Sequence, residues 1–331
     1  MRQRQRDRRS AMLLYERIRG TRSAATHLTM AHTVTVRAPA TTANMGPGFD
    51  CLAMALDIWN TVRVDLDGDG IVVNGEGKEE LPTDQANLVY RSFTMPFEKA
   101  GRPVPRAGIV CDNRIPLARG LGSSAAAAVA GLLAGNELCG RPLDRTQILE
   151  LAAEVEGHPD NVSAALFGGC QIVVQDDEGL TTSAVPIAQG LRAVVFVPDD
   201  PMPTDEARSV LADRIERRDA VYNMGRVALL VAALVTGDST QLGTATQDRL
   251  HQPARQAIYP AMKNIFRAAL SAGALGVFLS GAGSSVLALA QGRETTIGYE
   301  MAEAASKSGV RGSFIVTEPT TTGAHVAQDL R

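Results

Sequence analysis

Six residues, Gly120-Leu121-Gly122-Ser123-Ser124-Ala125, stand at the head of an alanine- and leucine-rich run that continues past Leu133. In that order they could hold an anion. The first backbone N–H groups of a helix lack internal partners and lie at the positive end of its dipole. Glycines would let that backbone approach a phosphate closely, and the two serine hydroxyls could serve phosphate oxygens or a magnesium ion. The same residues would equally cap a buried helix, because serine does so without any ligand. Two other phosphate motifs fit poorly. The stretch matches G-x-G-x-x-A literally, but Asn113, Arg114 and Pro116 interrupt the approach where a dinucleotide fold has a strand. A Walker loop needs a lysine after its glycines, and none follows here.

Three further loops concentrate small and polar residues. NMGPGFD (44–50) puts Asn44 and Asp50 on one glycine-rich turn, EGHPDN (156–161) sets a carboxylate and an amide beside a helix break, and SGAGSS (280–285) is a second small-residue loop. Each alone has an ordinary reading: turn formers, a helix cap at Asp160, a tight hairpin. Four such loops in one chain point together to a polar site.

The elements around these loops set the frame. Residues 34–38, 59–66, 70–75, 106–112, 170–175 and 191–198 read as strands, and 41–50 as a loop. Helical spacing runs over 87–101, where Pro96 threatens a kink, and over 122–139, stopped by Gly140 and Pro142. Asp144 is a good N-cap for a helix over 145–156 that Gly157 and Pro159 end. Helical stretches follow at 204–212, 219–236, 239–249 and 255–272. Two buried strands are expected within 273–290, then a helix over 294–308 and a strand over 311–317. Strands and helices come in mixed order without regular alternation, which predicts an α+β protein of two domains, 30–185 and 186–331.

Composition narrows the function classes. The chain has 331 residues, 45% of them hydrophobic but only 4% aromatic, so alanine, valine and leucine must fill the core. A net charge of −3 gives no reason to expect nucleic acid or an anionic membrane as partner. Residues 1–29 stand apart, with eight arginines against Asp7 and Glu16. They are read as a dispensable basic extension or a mis-assigned start, with strand-like sequence beginning after Met30. The four cysteines form no C-x-x-C pair, which suits free thiols in a reducing cytoplasm. The run Val227–Val235 is too short to span a bilayer.

From about Val34 to the C-terminus the chain resembles the GHMP small-molecule kinases, and within them the homoserine kinase family. APATTANMGPGFDCLAMAL is similar to the first motif of that superfamily, PLARGLGSSAAA to its phosphate loop, and LSGAGSSVLAL to its third motif. HPDNVSAALFGG and the pair TDEAR and HQPAR resemble the homoserine branch. The resemblance implies a ribosomal-protein-S5-like N-terminal domain that binds ATP and a ferredoxin-like C-terminal domain. It implies ATP, Mg2+ and transfer of the γ-phosphoryl group to the side-chain hydroxyl of L-homoserine, giving O-phospho-L-homoserine on the route to threonine.

The same resemblance assigns residues. Pro116, Leu117, Ala118, Arg119, Gly120, Leu121, Gly122, Ser123, Ser124, Ala125 and Ala126 would form the phosphate loop, with Asn87 bordering the adenine. Ser124 and Glu150, the latter eleven residues before Asn161, would hold magnesium. Asn44 and Asp50 would take the substrate's amino group, Arg208 and Arg255 its carboxylate, and Asn161 and Thr204 would lie beside the reacting hydroxyl. An acid at one end and guanidinium groups at the other is sensible chemistry for a zwitterion. Asparagine at 161 cannot take a proton at neutral pH, so catalysis would rest on positioning and charge neutralisation. The chain departs from the family in Ser163-Ala164, Ser284-Ser285 and Ala53, each a small-for-small change. Other expectations are a possible homodimer and no nucleic-acid or membrane partner. The rival readings are a kinase of another small alcohol, isoprenoid or sugar, and a non-catalytic sensor on the same scaffold.

Overall fold

The computed structural model describes residues 32–327. The basic extension 1–29 lies outside the described residues. Two sheets organise the rest. The first has seven strands: β1 (Thr33–Asn44), β2 (Gly48–Asp65), β3 (Ile71–Gly75), β4 (Gly108–Asn113), β5 (Cys170–Asp176), β6 (Gly179–Val185) and β11 (His325–Val326). Its main path runs β11-β1-β2-β4-β3, and only β3 and β4 pair in parallel. The long β2 serves two neighbours: its C-terminal half pairs with β4, and Leu52–Met54 pair with β5. The second sheet is antiparallel, in the order β10-β7-β9-β8, from β7 (Arg192–Pro198), β8 (Gly276–Leu279), β9 (Val286–Ala290) and β10 (Gly312–Thr317).

Helices α1 (Leu88–Lys99), α2 (Ser123–Leu138), α3 (Arg145–Glu156) and α4 (Asp160–Phe167) belong with the first sheet. Then come α5 (Thr204–Ser209), α6 (Arg217–Thr236), two single turns α7 (Leu242–Ala245) and α8 (Gln252–Arg255), α9 (Met262–Ala272) and α10 (Glu294–Lys307). The last two pack side by side against the second sheet. That sheet is buried on both faces. Val194 and Phe196 point to the α9–α10 cluster, while Ala193, Val195 and Val197 join the main core. Burial on both sides explains why β7 reads as an unbroken apolar run rather than an alternating one.

Helix α2 is buried nearly all round, which its alanine-rich sequence permits. Gly131 and Gly135 lie against the Val89 and Phe93 carbonyls of α1, where a Cβ would overlap backbone. The small residues thus bring two helices into backbone contact. Helix α6 is long and apolar enough by composition to cross a membrane, yet Leu230, Ala233 and Leu234 are buried in the main core.

Several expectations needed correction. The segment 41–50 is mostly strand: β1 continues to Asn44, β2 resumes at Gly48, and Met45–Pro47 make a tight tip. Thr41, Thr42 and Ala43 are fully buried and pair with Ala55, Met54 and Ala53. Their polar and small side chains look loop-like in sequence, but helices cover them. Residues 51–58, to which no element was assigned, extend β2, and the chain restarts as α4 at Asp160, directly after the expected break at Gly157 and Pro159. The helix expected over 239–249 shrinks to a short 3-10 turn and one α-turn, and 255–272 breaks at Tyr259-Pro260.

Candidate active site

The phosphate-loop candidate, the β1–β2 tip, the α3–α4 junction, α5 and α8 all open on one cavity of about 810 Å³. The loop's shape comes from left-handed backbone at Ala118 (φ 51°), Gly120 (φ 73°) and Gly122 (φ 66°). Residues 116–124 all line the cavity, and α2 begins at Ser123 with its N-terminus toward it. Ala125 and Ala126 do not line it; both are fully buried within α2. The glycines do something the sequence did not reveal. A Cβ at Gly120 would overlap the Ser280 carbonyl oxygen, and one at Gly122 would overlap Thr41 Oγ1. They permit contact between the loop and both sheets of the fold. Arg119 reinforces that contact by donating to the carbonyls of Pro198, Asp199 and Leu117, so its guanidinium holds the loop in place.

Ser124 Oγ donates to Glu156 Oε2 at 2.8 Å. The carboxylate expected beside this serine was Glu150, and that expectation is corrected. Glu150 lies one and two-thirds turns earlier on α3, is exposed, does not line the cavity, and has its carboxylate near Gly179. Glu156 is the last residue of α3 before the left-handed cap Gly157, which brings it to the cavity. Burial pushes the Glu156 carboxyl upward, opposed by the Ser124 hydrogen bond. Among the described residues no three His, Cys, Asp or Glu side chains gather as a metal-binding group.

Asn161 lines the cavity from the first turn of α4 with its amide orientation fixed. Its Oδ1 accepts from Thr41 Oγ1 at 2.7 Å, and its Nδ2 lies 3.3 Å from Asp160 Oδ1. Asp160 is buried, accepts from the Asn161 backbone N–H at 2.7 Å, and bonds to His158 Nδ1 at 3.0 Å. That bond raises the His158 pKa against the opposing effect of burial. Asn87 also borders the cavity. Its side chain caps α1 through Val89 N and donates to Pro82 O, so both ends of the amide are engaged.

The acceptor candidates meet at the other end. Asn44 is buried, donates to Gly281 O at 2.8 Å, and accepts from the Asp50 N–H at 3.0 Å. Asp50 forms a two-pronged ion pair with Arg208, 2.7 and 3.1 Å. The sequence reading set acid and arginines at opposite ends of a substrate; here Asp50 and Arg208 neutralise each other directly. The pair raises the Arg208 pKa. Arg255 is almost wholly buried and donates to Ala207 O, Gly281 O and His251 Nδ1. Burial, with the Arg208 charge adding to it, pushes its pKa down to about 10, which leaves it protonated at neutral pH. Thr204 lines the cavity at the start of α5, exposed.

Glu156, His158, Asp160 and Gly281 lie in loops that the sequence singled out but were given no individual role, and Thr41, which holds Asn161 from beside the cavity, was missed altogether. The signal for Glu156 was present in Gly157, which marks it as the last helical residue beside the break. Thr41 gave none, since it read as part of a loop.

Comparison with known proteins shows the family. The sequence profile for the GHMP kinases N terminal domain matches residues 87–169, and that for the GHMP kinases C terminal domain matches 230–307. A homoserine kinase of Moorella thermoacetica is 41% identical over 292 residues, covering 88% of this chain and 99% of that one. One from Microchaete diplosiphon is 44% identical over 271 residues, covering 81% and 88%. The crystal structure of homoserine kinase from Cytophaga hutchinsonii superposes with a TM-score of 0.80 at 32% identity, covering 90% of this chain and 98% of that one.

Proposed function

The chain belongs to the homoserine kinases of the GHMP kinase family, and from that premise we propose that it phosphorylates the side-chain hydroxyl of L-homoserine with ATP. One observation carries the reading: a single cavity joins a helix N-terminus suited to phosphate with the Asp50, Arg208 and Arg255 charges suited to an amino acid. The nucleotide's phosphates lie against the backbone of 116–124, where N–H groups and the helix dipole favour anions. The homoserine ammonium goes to Asp50 and Asn44, and its carboxylate to Arg208 and Arg255. Substrate binding then exchanges the internal Asp50–Arg208 pair for two pairs with the zwitterion, so neither charge is stranded on desolvation.

Asn161 serves by position. Its Oδ1 is engaged by Thr41 and its amide has no basic site, so it orients the hydroxyl without removing the proton. A loose phosphoryl-transfer transition state asks little of a strong base, and the proton leaves to phosphate or solvent. Thr204 lines the same cavity. Ser124 and Glu156 fit a magnesium ion. They offer two oxygen donors 2.8 Å apart, and a half-buried carboxylate whose partner is a neutral hydroxyl is suited to a cation. Magnesium typically keeps several waters and uses one or two carboxylates plus phosphates, so a larger protein cluster is not required. When bound, it neutralises charge on the transferring phosphate. The four free thiols suit a cytoplasmic enzyme.

The test is a coupled ADP-release assay against homoserine, serine, threonine, mevalonate and galactose. Homoserine should be strongly preferred. Absence of ADP release with homoserine, or a higher kcat/KM for mevalonate or galactose, overturns the assignment.

A further inference from the structure

His251 is fully buried, touches no open part of the cavity, and has no part in the mechanism above. Its two ring nitrogens nevertheless reach the two elements that hold the amino-acid substrate. Nδ1 lies 2.8 Å from Arg255 Nη1, and Nε2 lies 2.8 Å from the Gly46 carbonyl oxygen. A guanidinium can only donate, so Nδ1 must be the acceptor. The proton of the neutral ring then sits on Nε2 and donates to Gly46 O. The ring is therefore a neutral bridge of defined tautomer. Burial acts in the same direction, holding its pKa below the ordinary value, and the Arg255 charge adds to that effect.

The surroundings leave the ring little freedom. Phe49 stacks on it with centroids 5.3 Å apart, and the same phenyl ring lies 5.7 Å from both Arg208 Cζ and Arg255 Cζ. Asp248 Oδ2 approaches Nε2 at 3.7 Å, but that carboxylate accepts from the backbone N–H groups of Leu250, His251 and Gln252 and from Asn223 Nδ2. Asn223 also donates to Pro47 O, next to Gly46. The β1–β2 tip, which carries Asn44 and Asp50, is thus tied from beneath to the turn that carries Arg255.

We propose that His251 is a positioning residue for the amino-acid substrate: its Nδ1 acceptor aims Arg255, while the Nε2–H given to the Gly46 carbonyl fixes the tautomer that leaves Nδ1 free to accept. The inference rests on the reading that Arg255 binds the homoserine carboxylate. Two substitutions separate the functions of the ring. In His251→Asn the Oδ1 stands where Nδ1 was and keeps an acceptor for Arg255. In His251→Gln the amide reaches the Nε2 position and keeps the link to Gly46, but leaves Arg255 without its acceptor.

The experiment measures KM for homoserine and for ATP, kcat and thermal midpoint for both variants and for Arg255→Ala. His251→Gln should raise the homoserine KM about tenfold, the loss of one charge-assisted hydrogen bond, with ATP KM within about twofold. His251→Asn should recover most of that loss. A folded His251→Gln with homoserine KM within about twofold of wild type overturns the proposal, as does a parallel rise of both KM values, which marks a merely structural role. If His251→Gln does not fold, His251→Asn decides alone, because a tenfold rise there contradicts an acceptor-based function. An unchanged homoserine KM in Arg255→Ala would instead remove the premise about Arg255, and the proposal with it.

Discussion

Arg208 and Asp50 face each other in the cavity as a two-pronged ion pair, 2.7 and 3.1 Å, each side chain about one-third exposed. An amino-acid substrate carries the same two charges and can take the place of each partner for the other. Asp50→Asn should raise the homoserine KM by about tenfold or more, because a neutral amide no longer pairs with the ammonium. Arg208→Lys should do the same, since a point charge does not replace a planar fork. Initial rates at saturating ATP check both, and an ATP KM that stays within twofold assigns the effect to the amino-acid side.

Two of the glutamates of α3, Glu150 and Glu156, offer a clean contrast. Glu156→Gln should lower kcat about a hundredfold at fixed magnesium and raise the magnesium concentration for half-maximal rate, because it removes the carboxylate beside Ser124. Glu150→Gln should leave both within about twofold, being an exposed change remote from the cavity. Magnesium titrations of the two variants provide the check; the opposite pattern would return the metal to the earlier position on the helix.

Asn161→Asp should not speed the reaction. A carboxylate there would lose the donor that faces Asp160 and set a second negative charge beside it, in a site that receives phosphates. A kcat equal to or below wild type between pH 6 and 9 is expected. A tenfold gain would show that the chemistry was short of a base.

Gly120→Ala should abolish activity and lower the thermal midpoint. Its backbone is left-handed, and the added methyl would overlap the Ser280 carbonyl oxygen. Circular dichroism melts and the ADP-release assay measure the two losses separately. Ala118→Gly, at a position already left-handed without a glycine, should by contrast keep its melt close to wild type.

The thiols give a prediction for alkaline pH. Burial pushes Cys111 up to about 11 and Cys170 up to about 12, both above an unfolded thiol. The folded state then binds more protons than the unfolded one above about pH 9, so stability falls as pH rises, by about 1.4 kcal/mol per pH unit for each thiol until its folded pKa. Denaturation midpoints from pH 8 to 11 should fall less steeply in Cys170→Ala than in wild type. Alkylation at pH 8 should leave both residues unmodified until the chain unfolds.

The sequence was most informative where a residue type has few uses. Gly122, Ser123 and the alanines after them mark a helix start, and Asp144 and Gly157 bound α3 as read. It was least informative where tertiary cover changes the meaning of a residue. Thr41 and Thr42 look like loop residues and are buried strand, because helices close over them. Glu150 and Glu156 both have the right chemistry, and only the end of the helix decides between them. The Asp50–Arg208 pair joins residues 158 positions apart, and no local pattern announces it.

Alanine and glycine supply half of α2, and those two residues have no rotamers to lose when a helix is fixed in place. The wall proposed for the nucleotide is therefore held still at a reduced cost in side-chain entropy. Because Gly131 and Gly135 rest on carbonyls of α1, the two helices can shift only as a unit. Thermal agitation that would blur a loop-borne phosphate site has little here to act upon, so the geometry of the cradle should persist nearly unchanged up to the melting transition itself.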